Sequence, residues 1–82
     1  MEYTNLGKIT AKKIGTDFYI VESYFGEYHI LESMNELELG DIISWDITES
    51  FFYNKNDSIV INAIFQWKDL TYSQAKNILA NL

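Results

Sequence analysis

At 82 residues, 48% of them hydrophobic and 16% aromatic, the chain carries enough apolar surface for one small core, which excludes a disordered segment and leaves no length for a second domain. With no cysteine it has neither a disulfide framework nor thiolate metal sites, and its net charge of -6 rests on six lysines without a single arginine, the usual fork for phosphate and guanine. No stretch is long and apolar enough for a signal peptide or a membrane span, so the reading is of a soluble cytoplasmic protein with no membrane partner.

Nine acids and no base lie between Lys13 and Lys55: Asp17, Glu22, Glu27, Glu32, Glu36, Glu38, Asp41, Asp46 and Glu49. They read either as a solvated face or as a surface for a basic partner. No proline, repeat or low-complexity run divides the chain, so residues 1–82 form one unit.

In chain order, GKITAKKI at 7–14 alternates as a half-buried strand, with Ile9 and Ala11 sharing one side against Lys8, Thr10 and Lys12. FYIVESYF at 18–25 and YHILES at 28–33 flank Gly26 as a hairpin whose two faces are both partly apolar. After the irregular MNELELGD, Ile43, Trp45 and Ile47 point inward in alternation with Ser44, Asp46 and Thr48.

The stretch ESFFYNKNDSIV at 49–60 then sets three rings side by side, and in a strand they cannot all enter one core. IVINAIFQW places Ile59, Ile61, Ala63, Phe65 and Trp67 on one face. A five-residue loop from Asn54 to Ser58 matches that face by pairing Trp45 with Trp67, Ile47 with Phe65 and Phe51 with Ile61, whereas a four-residue loop turns every side chain over. The longer loop sends Phe51 and Tyr53 to the core side and Phe52 to the opposite face beside Val60, as a contact ring or under a C-terminal helix, with Leu79 or Leu82 over it.

The period changes at the end. Thr71 and Gln74 match a capping box, Leu70 and Ala75 the accompanying staple, and Tyr72, Ala75, Ile78, Leu79 and Leu82 form one stripe of a helix over 71–80. The stripe packs on the sheet or, alternatively, on a second copy in a homodimer.

The segments LGKI at 6–9, DFYIVES at 17–23, YHILESM at 28–34, LELGDIISWDI at 37–47 and SIVINAI at 58–64 together resemble, in order, an OB-fold barrel of the cold-shock kind. An SH3-like barrel is the competitor. The resemblance implies a mainly β fold, a small five-stranded antiparallel barrel within 6–67 followed by the helix. It also implies a stacking platform for single-stranded bases at Phe18 and Tyr28, with Lys8, Lys12 and Lys13 holding phosphates. Ile20, Ile30 and Leu31 stand where that family has further aromatic or histidine residues, and Thr16-Asp17 where it has Lys-Gly.

His29 is the single histidine and reads as a packed or surface side chain, since no cysteine or second histidine joins it at a metal. No phosphate loop, nucleophile motif or calcium loop occurs, and spacing identifies no carboxylate couple, so the expectation is of no enzyme and no cofactor. Two functions follow. The first is an acidic protein-interaction module, an adaptor, inhibitor or nucleic-acid mimic, engaging a basic protein through Phe52, Glu22, Glu27 and Glu32. The alternative is weak single-strand nucleic-acid binding through Phe18, Tyr28 and the three lysines.

Overall fold

A computed structural model describes residues 5–82. Strands β1 (Asn5–Lys12), β2 (Phe18–Ser23), β3 (Tyr28–Ser33), β4 (Ile42–Trp45), β5 (Phe52–Asn54), β6 (Ile59–Ile61) and β7 (Ala63–Leu70) precede one helix, α1 (Tyr72–Ala80). All neighbours are antiparallel, in the order β6-β5-β4-β1-β2-β3-β7, and the sheet curls into a half-barrel. Among the described residues no helix is long and apolar enough to cross a membrane.

Seven strands therefore replace the expected five, and two polar side chains are the reason. The run 59–67 is not one strand because Asn62 breaks it: its N–H donates to Asn35 Oδ1 at 2.8 Å and its carbonyl accepts from the Met34 N–H at 2.9 Å. The chain thus leaves β5 and crosses to β3. Upstream, Asp46 ends β4. Its Oδ1 accepts the N–H groups of Ser50 and Phe51 at 2.9 Å each, and its Oδ2 accepts the Thr48 hydroxyl. The Thr48 hydrogen bond first, then these backbone donors, hold the Asp46 carboxyl below its ordinary pKa. The turn so formed leaves Ile47 84% exposed, contrary to its expected inward place.

The register of β5 and β6 also reverses the expectation. Asn54 pairs with Ile59 and Phe52 with Ile61, which leaves a four-residue loop, Lys55 to Ser58. Phe52 is 1% exposed, whereas Phe51 stands at 45%. The deciding residue is Asn54, which shares the inner face with Phe52 and is fully buried. Its Nδ2 donates to Asp41 Oδ2 at 2.9 Å and Asp57 Oδ2 at 3.3 Å, and its Oδ1 accepts from Asn56 N at 3.0 Å. A buried amide with its partners in place costs little, so a polar residue holds a core position that a hydrophobic pattern assigns to the loop.

The interior core comprises Ile9, Tyr19, Val21, Leu31, Leu37, Ile43, Trp45, Phe52 and Ile61, with Phe65 packed against it. Trp45 is buried as its alternation predicts. Phe65 meets Trp45 and Phe52 edge-on, with ring centroids 5.0 Å apart in both pairs. A second cluster lies on the outer face: Ile20, Ile30, Ala75 and Leu79, flanked by Ala11, Phe18, Tyr28, Leu70 and Ile78. A bulge in β1 divides the two. Ile9 pairs with Val21 inside, but one residue is skipped and Ala11 pairs with Ile20 under the helix, so Ile9 and Ala11 face opposite ways rather than sharing a side. Both faces of the β2–β3 hairpin are apolar because both are covered.

Helix α1 starts as its capping box predicts. Thr71 Oγ1 accepts from Gln74 N at 3.2 Å and Gln74 Oε1 accepts from Thr71 N at 2.9 Å. At the other end Lys13 Nζ donates to the carbonyls of Ala80 at 2.9 Å and Leu82 at 2.5 Å, where the helix dipole favours a cation. Ala75 and Leu79 are buried on the sheet, while Tyr72 and Leu82 remain exposed. Thr71→Ala is expected to lower stability by about 1 kcal/mol, read from urea unfolding, with the helix fraying first by hydrogen exchange.

Candidate functional site

The residues expected to bind nucleic acid take structural places. Phe18 and Tyr28 pack in the cluster that α1 covers, and the Tyr28 ring lies 5.3 Å from Tyr72 on the helix. The Tyr28 phenol is held above its ordinary pKa by burial and then by nearby Glu22. Lys13 is occupied by the helix end, and Lys12 faces Glu38 at 3.5 Å. Lys8, exposed, pairs across the ladder with Glu22. Phe18 and Tyr28 share the cluster under α1, and Lys12 and Lys13 line one groove together.

The expected protein-contact residues are separated. Phe52 is an interior ring under Trp45 and Phe65 rather than a contact ring, and α1 plays no part in covering it. Glu22 pairs with Tyr28 and Glu32 with Phe18, at the two ends of the β2–β3 ladder. Glu32 Oε1 accepts from Gln66 Nε2 at 2.7 Å. Only Glu27 enters a site.

That site forms where the β2–β3 turn, the β4–β5 turn and the end of β7 meet. Buried Ser23 sets the first turn: its hydroxyl donates to Glu27 Oε1 at 3.1 Å and accepts from Phe25 N at 3.1 Å. Gly26, at φ 95°, supplies the left-handed residue the turn needs. The rings of Tyr24 and Phe25 are consequently left outside, Phe25 at 78% exposure. On β3, His29 pairs with Val21 and points inward, 5% exposed, against Trp45 and Phe65 at centroid distances of 6.0 and 4.8 Å.

Opposite His29 the β3–β7 pairing is irregular, and Asp69 adopts a left-handed φ of 58° that aims its N–H at His29 Nδ1, 3.1 Å away. Glu49, also at φ 58°, accepts from Lys68 Nζ at 2.7 Å. Glu27, Glu49, Asp69, His29, Phe25 and Trp45 thus surround a cavity of about 150 Å³. Two non-glycine residues in sparsely populated backbone conformations border one cavity, and such outliers persist only where surroundings hold them.

Burial lowers the His29 pKa, opposed by the charges of Asp69, Glu27 and Glu49 and assisted by that of Lys68. The lowered pKa favours the neutral ring. Because Nδ1 accepts the Asp69 N–H, the ring proton resides on Nε2. Carboxylate oxygens of Glu27 and Asp69 and a nitrogen of His29 lie within 4.8 Å of one another, a spacing compatible with a metal ion. The tautomer opposes that use, since neither ring nitrogen keeps a free lone pair for a metal.

The sequence reading names Glu27 as a protein contact together with Phe52, Glu22 and Glu32, not at this cavity, and it singles out neither Glu49 nor Asp69 nor a cavity role for His29. An isolated carboxylate in sequence gives no sign of a left-handed backbone or of a bulge that turns a strand end toward a distant turn. Comparison with known proteins yields no relative: no protein-family model, no curated protein and no solved structure matches the chain.

Proposed function

We propose that the chain is a non-enzymatic acidic protein-interaction module, an OB-like half-barrel that engages a basic partner at the tip of the β2–β3 hairpin. The observation that carries this reading is the exposed Phe25 ring beside the carboxylates of Glu27, Glu49 and Asp69. A large apolar ring at a hairpin tip contributes nothing to the fold's own core, and rings of this kind are common anchors at protein interfaces. The net charge of -6 favours a basic partner and speeds encounter with it. The nucleic-acid alternative draws less support, because α1 occupies the face of Phe18 and Tyr28 and two of the three lysines are engaged within the chain.

The test compares an oligolysine peptide with oligo-dT at about 0.15 M salt. The peptide is expected to bind and the oligonucleotide to bind feebly. Phe25→Ser is expected to weaken peptide binding about tenfold or more while changing stability by no more than about 0.5 kcal/mol. Nanomolar oligo-dT binding, or peptide binding indifferent to Phe25, overturns the reading.

A further inference from the structure

We propose that the groove rimmed by Lys12, Lys13 and Lys76 receives the β2–β3 hairpin tip of a second copy, so that copies associate head to tail. The proposal rests on the protein-interaction reading of that tip and names its basic partner as the chain itself. Three of the six lysines of a chain with net charge -6 line this one groove of about 220 Å³, with Leu79 and Ala80 as its apolar floor and no acid among its lining residues. Like charges gathered where no acid offsets them repel one another, and an anionic partner relieves that repulsion.

The fold leaves these cations available. Lys76 is exposed, and its ammonium lies 5.7 Å from the centre of the Tyr72 ring, a contact that keeps its charge in place. Lys13 donates to main-chain oxygens at the end of α1, and neither it nor Lys76 has a carboxylate side chain within ion-pair distance among the described residues. Lys12 meets Glu38 at 3.5 Å, but that side chain is 70% exposed, and so open a pair is worth little.

What fits such a groove is an apolar side chain with carboxylates beside it. A free phosphate answers the lysines but leaves Leu79 and Ala80 uncovered. The hairpin tip supplies both parts: the rings of Tyr24 and Phe25 are exposed, and Glu27, Glu49 and Asp69 border the cavity that Phe25 lines. Within one molecule the two surfaces cannot meet. Lys12 and Lys13 lie where β1 ends and β2 is about to begin, whereas the tip follows the far end of β2, about 20 Å away along the extended strand.

The groove and the tip therefore engage only between copies. They are different patches, so the contact is heterologous, and each added copy leaves one groove and one tip free for the next. A single hairpin tip in a groove of this size falls short of the roughly 1,200–2,000 Å² of a stable interface, so the association is weak. Salt at about 0.15 M screens the repulsion between two acidic molecules more than it screens charges in contact.

The experiment follows the mass of the full chain by sedimentation equilibrium from about 0.02 to about 1 mM at about 0.15 M salt. The mean mass should rise with concentration and pass that of a dimer without levelling there. Phe25→Ser removes the tip and leaves the groove, whereas Lys12→Gln combined with Lys76→Glu alters the groove and leaves the tip, with Lys13 kept for the helix end. Each variant alone should associate about tenfold more weakly or not at all. An equimolar mixture of the two should form a one-to-one dimer that grows no further, because only one intact groove and one intact tip remain. Amide NMR spectra that match the parent away from the substitutions establish that both variants fold. A parent that stays monomeric at about 1 mM, a mass that levels at a dimer, or a mixture of folded variants that stays monomeric overturns the proposal. If the parent stays monomeric while Phe25→Ser weakens oligolysine binding, the interaction module stands and the second copy falls; if oligolysine binding is indifferent to Phe25, the reading of the tip falls as well.

Discussion

Phe52→Ala is expected to lower the stability of the half-barrel by about 3–5 kcal/mol, while Phe51→Ala, one residue away, changes it by no more than about 0.5 kcal/mol. Phe52 is 1% exposed between Trp45, Phe65 and Ile61, and truncation removes both its transfer energy and an edge-on contact with Phe65, leaving a cavity that close-packed neighbours fill only in part. Phe51 is nearly half exposed, and its ordered feature is its main-chain N–H on Asp46, which alanine keeps. Urea unfolding of the two variants and the parent measures both numbers. Equal midpoints for Phe52→Ala and the parent, or a large loss for Phe51→Ala, would restore the five-residue loop and its opposite assignment of the two rings.

Gly7→Ala is expected to cost about 1–3 kcal/mol, although alanine is ordinarily harmless in an extended strand. A Cβ at Gly7 would lie 2.5 Å from Val21 Cγ1, 3.0 Å from the Glu22 carbonyl oxygen and 3.1 Å from Trp45 Cη2. The first contact is impossible without movement. A valine methyl on a central strand is not a flexible chain end, and the second neighbour is backbone, so the strain passes into the ladder between β1 and β2. The glycine is required by space, not by backbone conformation: it leaves room for the edge of the Trp45 ring where β1 meets β4. Thermal unfolding checks the loss, and Val21→Ala in the same chain should recover part of it by removing the clashing methyl. A Gly7→Ala variant as stable as the parent would show that Trp45 and Val21 do not meet there.

The same crowding bears on the candidate site. Trp45 forms the wall between the interior core and the cavity of His29, so the strands that press on it also set the imidazole's surroundings. The cavity's chemistry depends on a single backbone contact, from the Asp69 N–H to Nδ1, which selects the tautomer. A rigid core on one side and a left-handed strand end on the other hold that contact in place.

Elements whose signals are local were determined by the sequence itself. The capping box at Thr71 and Gln74 needs only four residues and one turn of helix, and it forms as read. The hairpin about Gly26 follows from two β-rich runs and one residue free to take positive φ, and Trp45 follows from simple alternation with Ile43. The acidity is likewise a property of composition.

What the tertiary structure decided lies wherever two distant segments compete for one position. The loop after Asn54 has four residues because a buried amide finds Asp41, thirteen residues upstream, and the same register sends Phe52 inward. The break at Asn62 needs Asn35, and the opposite orientations of Ile9 and Ala11 need a bulge against β2. The cavity of Glu27, His29, Glu49 and Asp69 draws on three separate parts of the chain and on two left-handed residues whose side chains give no sign of that backbone. Period and capping are encoded within a few neighbouring residues. Register, bulges and buried polar pairs are settled by partners that only the closed sheet brings within hydrogen-bond reach, and a slip of one residue in register exchanges the inside of a strand for its outside.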